Sequence, residues 1–223
     1  MLSKKIMTLF TASLSAGSLM LVGCTPQTQA QLDNQTETQF ETQPETIQAQ
    51  QGVSDIPTQN QVADVPFVPT PQPVVDEMLR LARPTSNDVI YDLGSGDGRI
   101  IITAAQQYGA RGVGIDINPD LVQRGRNRAE EAGVTDRVSF QQQDLFQTDL
   151  SEASIVTLYL LPSVNMRLLP KLLQELRPGT RIVSHNYDFG DWKPERVVQV
   201  ESSSGGQHTV YYWVVPEDVS KLR

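Results

Sequence analysis

The chain has 223 residues, 39% of them hydrophobic, with 18 Lys and Arg against 26 Asp and Glu. That length bounds it to one ordinary domain plus extensions, and the formal net charge of −8 argues against a bulk nucleic-acid binder, which needs cations to displace phosphate counterions. One cysteine excludes a disulfide framework, and two histidines far apart in the chain, His185 and His208, leave little for a His-based zinc site. No metal is expected.

Residues 1–24 have the anatomy of an export signal. Lys4 and Lys5 form a basic n-region, and Ile6 to Val22 an apolar stretch too short and too polar to span a bilayer. Leu21-Val22-Gly23-Cys24 resembles the bacterial lipobox, which predicts a lipidated Cys24 holding the protein on a membrane, outside the cytoplasm. The alternatives are a chance cysteine after an ordinary signal, or a downstream start that leaves a cytoplasmic protein. Residues 25–65 contain 11 Gln, 7 Thr, six acids and no Lys or Arg. So little apolar surface cannot offset the entropy of ordering, which predicts a disordered linker. Removing both segments leaves −4 on residues 66–223, with 16 basic and 20 acidic side chains.

From residue 66 onward, apolar runs alternate with helical periods, the pattern of a parallel sheet covered on both faces. A first helix is predicted at 74–82, where Val74, Val75, Met78, Leu79 and Ala82 share a face. Strand one is 89–93, followed by Gly94-Ser95-Gly96-Asp97-Gly98 and a helix over 99–108. Strand two is 111–115, ending in Asp116; Asn118 and Pro119 cap the next helix, which stops at Gly133. Strand three, 138–142, leads to Asp144, and strand four is 155–160. A helix over 163–176 should be kinked or split by Pro170. Strand five is 181–184, and 197–200 with 210–215 read as a closing antiparallel hairpin. The fold class is α/β and Rossmann-like, a mostly parallel seven-stranded sheet.

A strand, a Gly-rich turn and a helix put backbone amides and bare backbone at the carboxyl end of the strand, where doubly wound sheets take ligands. Arg99 stands where a dinucleotide fingerprint wants its third glycine, which counts against NAD. Asp116 lies 22 residues after Gly94 at the end of strand two, placed to accept from ribose hydroxyls; otherwise it is a charge at a helix N-terminus. Asp144 could accept from an exocyclic amine, or be an ordinary turn residue. Together these features favour a nucleoside cofactor.

Tyr91 to Arg99, Gly114-Ile115-Asp116 and Gln143 to Phe146 resemble, motif by motif, the class I S-adenosylmethionine-dependent methyltransferases. The resemblance spans about 66–216. It implies S-adenosyl-L-methionine as cofactor, with Asp92, Gly94, Gly96 and Gly98 in the turn that holds the methionine end, Asp116 on the ribose and Asp144 on the adenine. Pro66 to Thr70, Ser95 to Arg99, Pro162 and Trp192-Lys193-Pro194 resemble, more narrowly, the lysine N-methyltransferase family that includes the mitochondrial enzyme acting on the ATP synthase c-subunit. That likeness implies a protein lysine acceptor.

Strand four continues Tyr159-Leu160-Leu161-Pro162 and lacks the Asn/Asp-Pro-Pro-aromatic tetrapeptide of enzymes that methylate base amines. Tyr159 could orient an amine or pack as a strand aromatic, and His185 could accept a proton or be a hydrogen-bonded loop histidine. These two are the candidate catalytic residues. Trp192 should pack its loop onto the sheet. Arg124, Arg126 and Arg128 share a helix with Glu130 and Glu131 and read as a solvated face with an Arg126–Glu130 pair. No role is expected for His208. The sequence thus predicts a membrane-anchored methyltransferase acting on a protein lysine, with no nucleic-acid partner. The rivals are a small-molecule methyltransferase and a non-catalytic cofactor-binding module.

Overall fold

The computed structural model describes residues 67–203 and 205–222. The predicted signal, Cys24 and the linker at 25–65 lie outside the described residues. Seven strands form one sheet in the order β3-β2-β1-β4-β5-β7-β6. They are β1 (Val89–Leu93), β2 (Arg111–Asp116), β3 (Val138–Gln142), β4 (Ile155–Leu158), β5 (Arg181–His185), β6 (Arg196–Glu201) and β7 (Gln207–Val214). The first five pair in parallel, and β7 runs antiparallel to both neighbours, β5 and β6. The order reverses between β1 and β4, which opens a crevice at their carboxyl ends.

The strands divide their apolar residues between two cores, one on each face of the sheet. Ile90, Ile155, Val183 and Val210 face α1 (Gln72–Ala82), α2 (Arg99–Tyr108) and α3 (Pro119–Glu131). Val156, Leu158, Ile182 and Trp213 face α4 (Pro162–Glu175). Among the described residues the second face carries a single α-helix, with Val219 and Leu222 of a short 3-10 turn beside it, and aromatic side chains fill the remaining space. Phe189 and Trp192, from the loop after β5, pack on Trp213 at centroid distances of 4.9 and 6.0 Å, and the Trp213 indole donates to the Trp192 carbonyl at 2.9 Å. Trp192 therefore fastens its loop to the sheet.

Helix ends follow the local chemistry. Asn118 accepts from the Asp120 amide at 2.9 Å with Pro119 at the first helical position, and Arg83 ends α1 in a left-handed conformation at φ 47°. α1 begins two residues earlier than its apolar face predicts. β4 ends at Leu158, two residues short of expectation, because Tyr159 and Leu160 leave the sheet to line a cleft. α4 is not split at Pro170. The proline sits on the exposed face, while Val164, Leu168, Leu172 and Leu173 anchor both halves in the core. Burial of each such side chain contributes about 1.5–3 kcal/mol, comparable to the roughly 3 kcal/mol cost of an interior proline.

The arginines of α3 are largely solvent-exposed, as the sequence suggests, but the expected Arg126–Glu130 pair gives way to other partners. Arg126 donates to the Phe140 carbonyl at 2.8 Å, tying α3 to β3 instead of reaching for Glu130, and Arg128 pairs with Asp97. The Arg124 guanidinium lies 5.9 Å from the centroid of the Phe67 ring. No helix among the described residues is long and apolar enough to cross a membrane.

Candidate active site

A cleft of about 1260 Å³ opens at the carboxyl ends of β1, β2 and β4. Its floor is the turn after β1. Gly94 and Ser95 donate their amides to the Ile115 carbonyl at 2.8 and 2.9 Å, and Gly96 donates to Asp116 Oδ2 at 2.8 Å. Asp116 Oδ1 accepts the Asn118 amide at 3.0 Å. One carboxylate thus joins the Gly-rich turn to the start of α3. Gly96 has φ +55°, and a Cβ there would come within 2.4 Å of the Phe67 ring. The bare backbone lets Phe67, on the strap Phe67–Thr70 that leads into α1, close over the turn.

Asp92 is fully buried at the end of β1, where Thr157 Oγ1 donates to it at 2.7 Å. Burial pushes its carboxyl up to about 7, and repulsion from Asp116 and Asp97 adds to the shift against the Thr157 hydrogen bond. Asp97 is held low despite burial, because Arg99 donates to both its oxygens and Arg128 pairs with it. Arg99 also donates to the Thr70 carbonyl at 2.8 Å, which pins the strap. Asp144 Oδ1 accepts the Phe146 amide at 2.9 Å; the residue closes a turn and also lines the cleft. The cleft is lined by Asp92, Asp97, Asp116, Asp120 and Asp144, with Arg99 and Arg167 as its cations.

The other end of the cleft is aromatic and apolar: Tyr159, Leu160, Leu161, Val164 and Tyr187 line it. The Tyr159 and Tyr187 rings are nearly parallel, 16° apart, with centroids separated by 6.3 Å. Burial raises the Tyr159 hydroxyl above its usual range, so it stays protonated.

Of the residues singled out in the sequence, Asp92, Gly94, Gly96, Asp116, Asp144 and Tyr159 line this one cleft. Gly98 does not. It starts α2 at φ +77°, and a Cβ there would meet the Phe140 ring at 2.3 Å, so its demands are helix entry and packing. His185 does not line the cleft either and takes the second of its two expected parts, that of a hydrogen-bonded histidine. It is fully buried behind Tyr159, its ring nitrogens meet Thr70 Oγ1 at 3.2 Å and His208 Nδ1 at 2.9 Å, and burial with His208 beside it lowers its pKa to about 3. A group so placed and so weakly basic does not collect a proton from the cleft. The two histidines, distant in the chain, are neighbours in space, yet no cluster of three metal-ligating residues exists among the described residues. Phe67 and Arg167 also line the cleft and were not singled out in the sequence, whereas Tyr187 belongs to the cluster expected after strand five. For Phe67 the signal was the Gly96 backbone that needs something above it.

The cleft fits the expected cofactor. Its volume exceeds the roughly 300–1,000 Å³ of ordinary small-molecule sites, leaving room for an acceptor. Its carboxylates suit a cationic sulfonium and amine, and no row of basic side chains awaits a pyrophosphate. Strand order, Gly-rich turn and acidic strand ends together define a class I S-adenosylmethionine-dependent methyltransferase. Residues 92–196 match the model of the ANTKMT methyltransferase domain. A protein-lysine N-methyltransferase of Saccharolobus islandicus is 46% identical over 157 residues, 70% of this chain and 97% of that protein. The chain belongs to this family of methyltransferases. The ATP synthase c-subunit lysine N-methyltransferase of Mus musculus is 36% identical, and the match spans 59% of this chain and about half, 52%, of the mouse protein. Among solved structures, an RNA methyltransferase from Salinibacter ruber, bound to S-adenosyl-L-homocysteine, is 58% identical with a TM-score of 0.65 over 69% of this chain and 97% of that one.

Proposed function

We propose that this methyltransferase N-methylates the side-chain amine of a protein lysine. The observation that carries the reading is the acceptor end of the cleft, where Tyr159 and Tyr187 stand nearly parallel among Leu160, Leu161 and Val164. Such walls suit a long alkyl chain ending in an amine. Asp92, Gly94 and Gly96 would hold the methionine end of the cofactor, Asp116 the ribose and Asp144 the adenine. When bound, the cofactor supplies an electrophilic methyl group on a sulfonium, which passes in line to the amine nitrogen. The protein's main contribution is alignment, for which roughly 7–11 kcal/mol is available from effective molarity. Tyr159 presents its protonated hydroxyl to the amine as an orienting group. The amine's proton leaves to water at the open mouth, since His185 is buried and committed to other partners.

A second reading, an RNA acceptor, is favoured by the name of the Salinibacter ruber relative. Against it, Arg126 and Arg128 are bound to Phe140 and Asp97 instead of forming a free phosphate-reading stripe, and the domain carries a net −4. Incubating the protein with methyl-labelled cofactor and a lysate tests the proposal. Label recovered as methyllysine supports it. Label in RNA supports the second reading, and label in the small-molecule fraction would replace both. The proposal extends to the N-terminus: a lipidated Cys24 would hold the enzyme at a membrane surface. Mass spectrometry of the native N-terminus checks this, since an unmodified residue upstream of Cys24 would contradict it.

A further inference from the structure

His185 joins three parts of the site that lie far apart in sequence. Its ring packs against Tyr159 at a centroid distance of 3.8 Å, tilted by 32°. Its Nδ1 meets the Thr70 hydroxyl at 3.2 Å and its Nε2 meets His208 Nδ1 at 2.9 Å. Thr70 ends the strap whose Phe67 covers Gly96, and Arg99, at the start of α2, holds the Thr70 carbonyl. His208 belongs to β7, and its ring lies 4.9 Å from that of His185. A neutral imidazole has one N–H and one acceptor nitrogen, so both contacts can be satisfied in only two ways. Either His185 donates to His208 and accepts from Thr70, or it accepts from His208 and donates to Thr70. In both arrangements the ring is fixed at two opposite corners, and Tyr159 rests on its face.

We propose that His185 is a positioning residue that binds the strap over the cofactor turn to the aromatic wall of the acceptor site. Closure of the strap at Thr70 and the setting of the Tyr159 ring then occur as one event. The inference rests on the reading of Tyr159 as an acceptor wall. A misplacement of about 1 Å at such a wall costs up to about a hundredfold in rate. The role explains why an otherwise idle imidazole is buried beside the cleft with no part in proton transfer.

Thr70→Val removes the hydroxyl at constant shape, and His185→Phe keeps a ring against Tyr159 while removing both hydrogen bonds. Each should lower kcat about tenfold, with KM for the acceptor unchanged within about twofold. The double variant should be no slower than the slower single one, because both cut the same link. His185→Gln, whose amide can accept from Thr70 and donate to His208, should restore part of kcat. Losses that multiply in the double variant would overturn the proposal, as would a fall in Tm with kcat intact. If His185→Phe fails to fold, Thr70→Val paired with His208→Ala makes the same test from the two ends. Kinetics are read on whichever acceptor the wild type labels. A failure of the lysine reading then shows in the wild type, and a failure of this one only in the variants.

Discussion

Asp116 accepts the Gly96 amide at 2.8 Å, so the end of β2 holds the turn that follows β1. The same glycine lies directly beneath Phe67. Gly96→Ala would force a Cβ to within 2.4 Å of that ring, at a φ of +55° that side chains adopt with strain. The strap should be displaced. Affinity for S-adenosyl-L-homocysteine should fall about tenfold or more while the fold survives, which calorimetry and a melting curve together would read.

Asp92 links proton binding to both stability and cofactor affinity. Its folded pKa of about 7 lies above its ordinary value of 3.8. Between those two pH values the native protein keeps a proton that the unfolded chain has released, so this group's contribution to stability is present below about 4 and lost as pH rises through 7. Asp92→Asn should flatten that slope. A cationic amine lodged beside Asp92 favours its carboxylate, so cofactor binding near pH 6 should release a proton. Titrations in buffers of different ionisation enthalpy measure this, and a binding enthalpy independent of buffer would contradict it.

Tyr159 separates hydroxyl from ring. Tyr159→Phe removes only the orienting group and should lower kcat about tenfold, within the range of a single lost polar contact to the reacting group. Tyr159→Ala also uncovers the face of His185 and should cost about a hundredfold or more. Steady-state kinetics on the methyl acceptor would rank the two, and equal losses would mean that the hydroxyl carries the effect and the ring adds nothing.

Leu168 anchors α4 and is fully buried among the residues around Trp213. Leu168→Ala should destabilise the fold by about 2–5 kcal/mol through lost burial and a residual cavity. At about 2–4 °C per kcal/mol for a domain of this size, a clear fall in Tm is expected. The cofactor Kd should be unchanged wherever the variant is folded.

The sheet was legible because its strands are short apolar runs bounded by turn residues, and the Gly-rich turn with Asp116 and Asp144 marks the carboxyl ends of the first three. The placement of Asp92 followed from the motif, whereas its raised pKa depends on burial that no local pattern reveals. Gly98 looked equivalent to Gly94 and Gly96, yet it serves the entry to α2 beneath Phe140. The meeting of His185 with His208 was hidden because it depends on the register of β7 against β5, in which His185 pairs with Val210. Pro170 misled for a related reason: helix propensity is local, whereas the burial that holds α4 together is tertiary.

S-adenosyl-L-methionine would be held by the acidic strand ends and the bare turn. Calorimetric titration of that cofactor into the wild type and Asp116→Ala tests it most directly. Saturable one-to-one binding to the wild type, weakened about a hundredfold in the variant, is the predicted result, since hydrogen bonds to a charged partner contribute about 1.5–3 kcal/mol each. No binding to the folded wild type, or identical affinity in both proteins, would contradict the account.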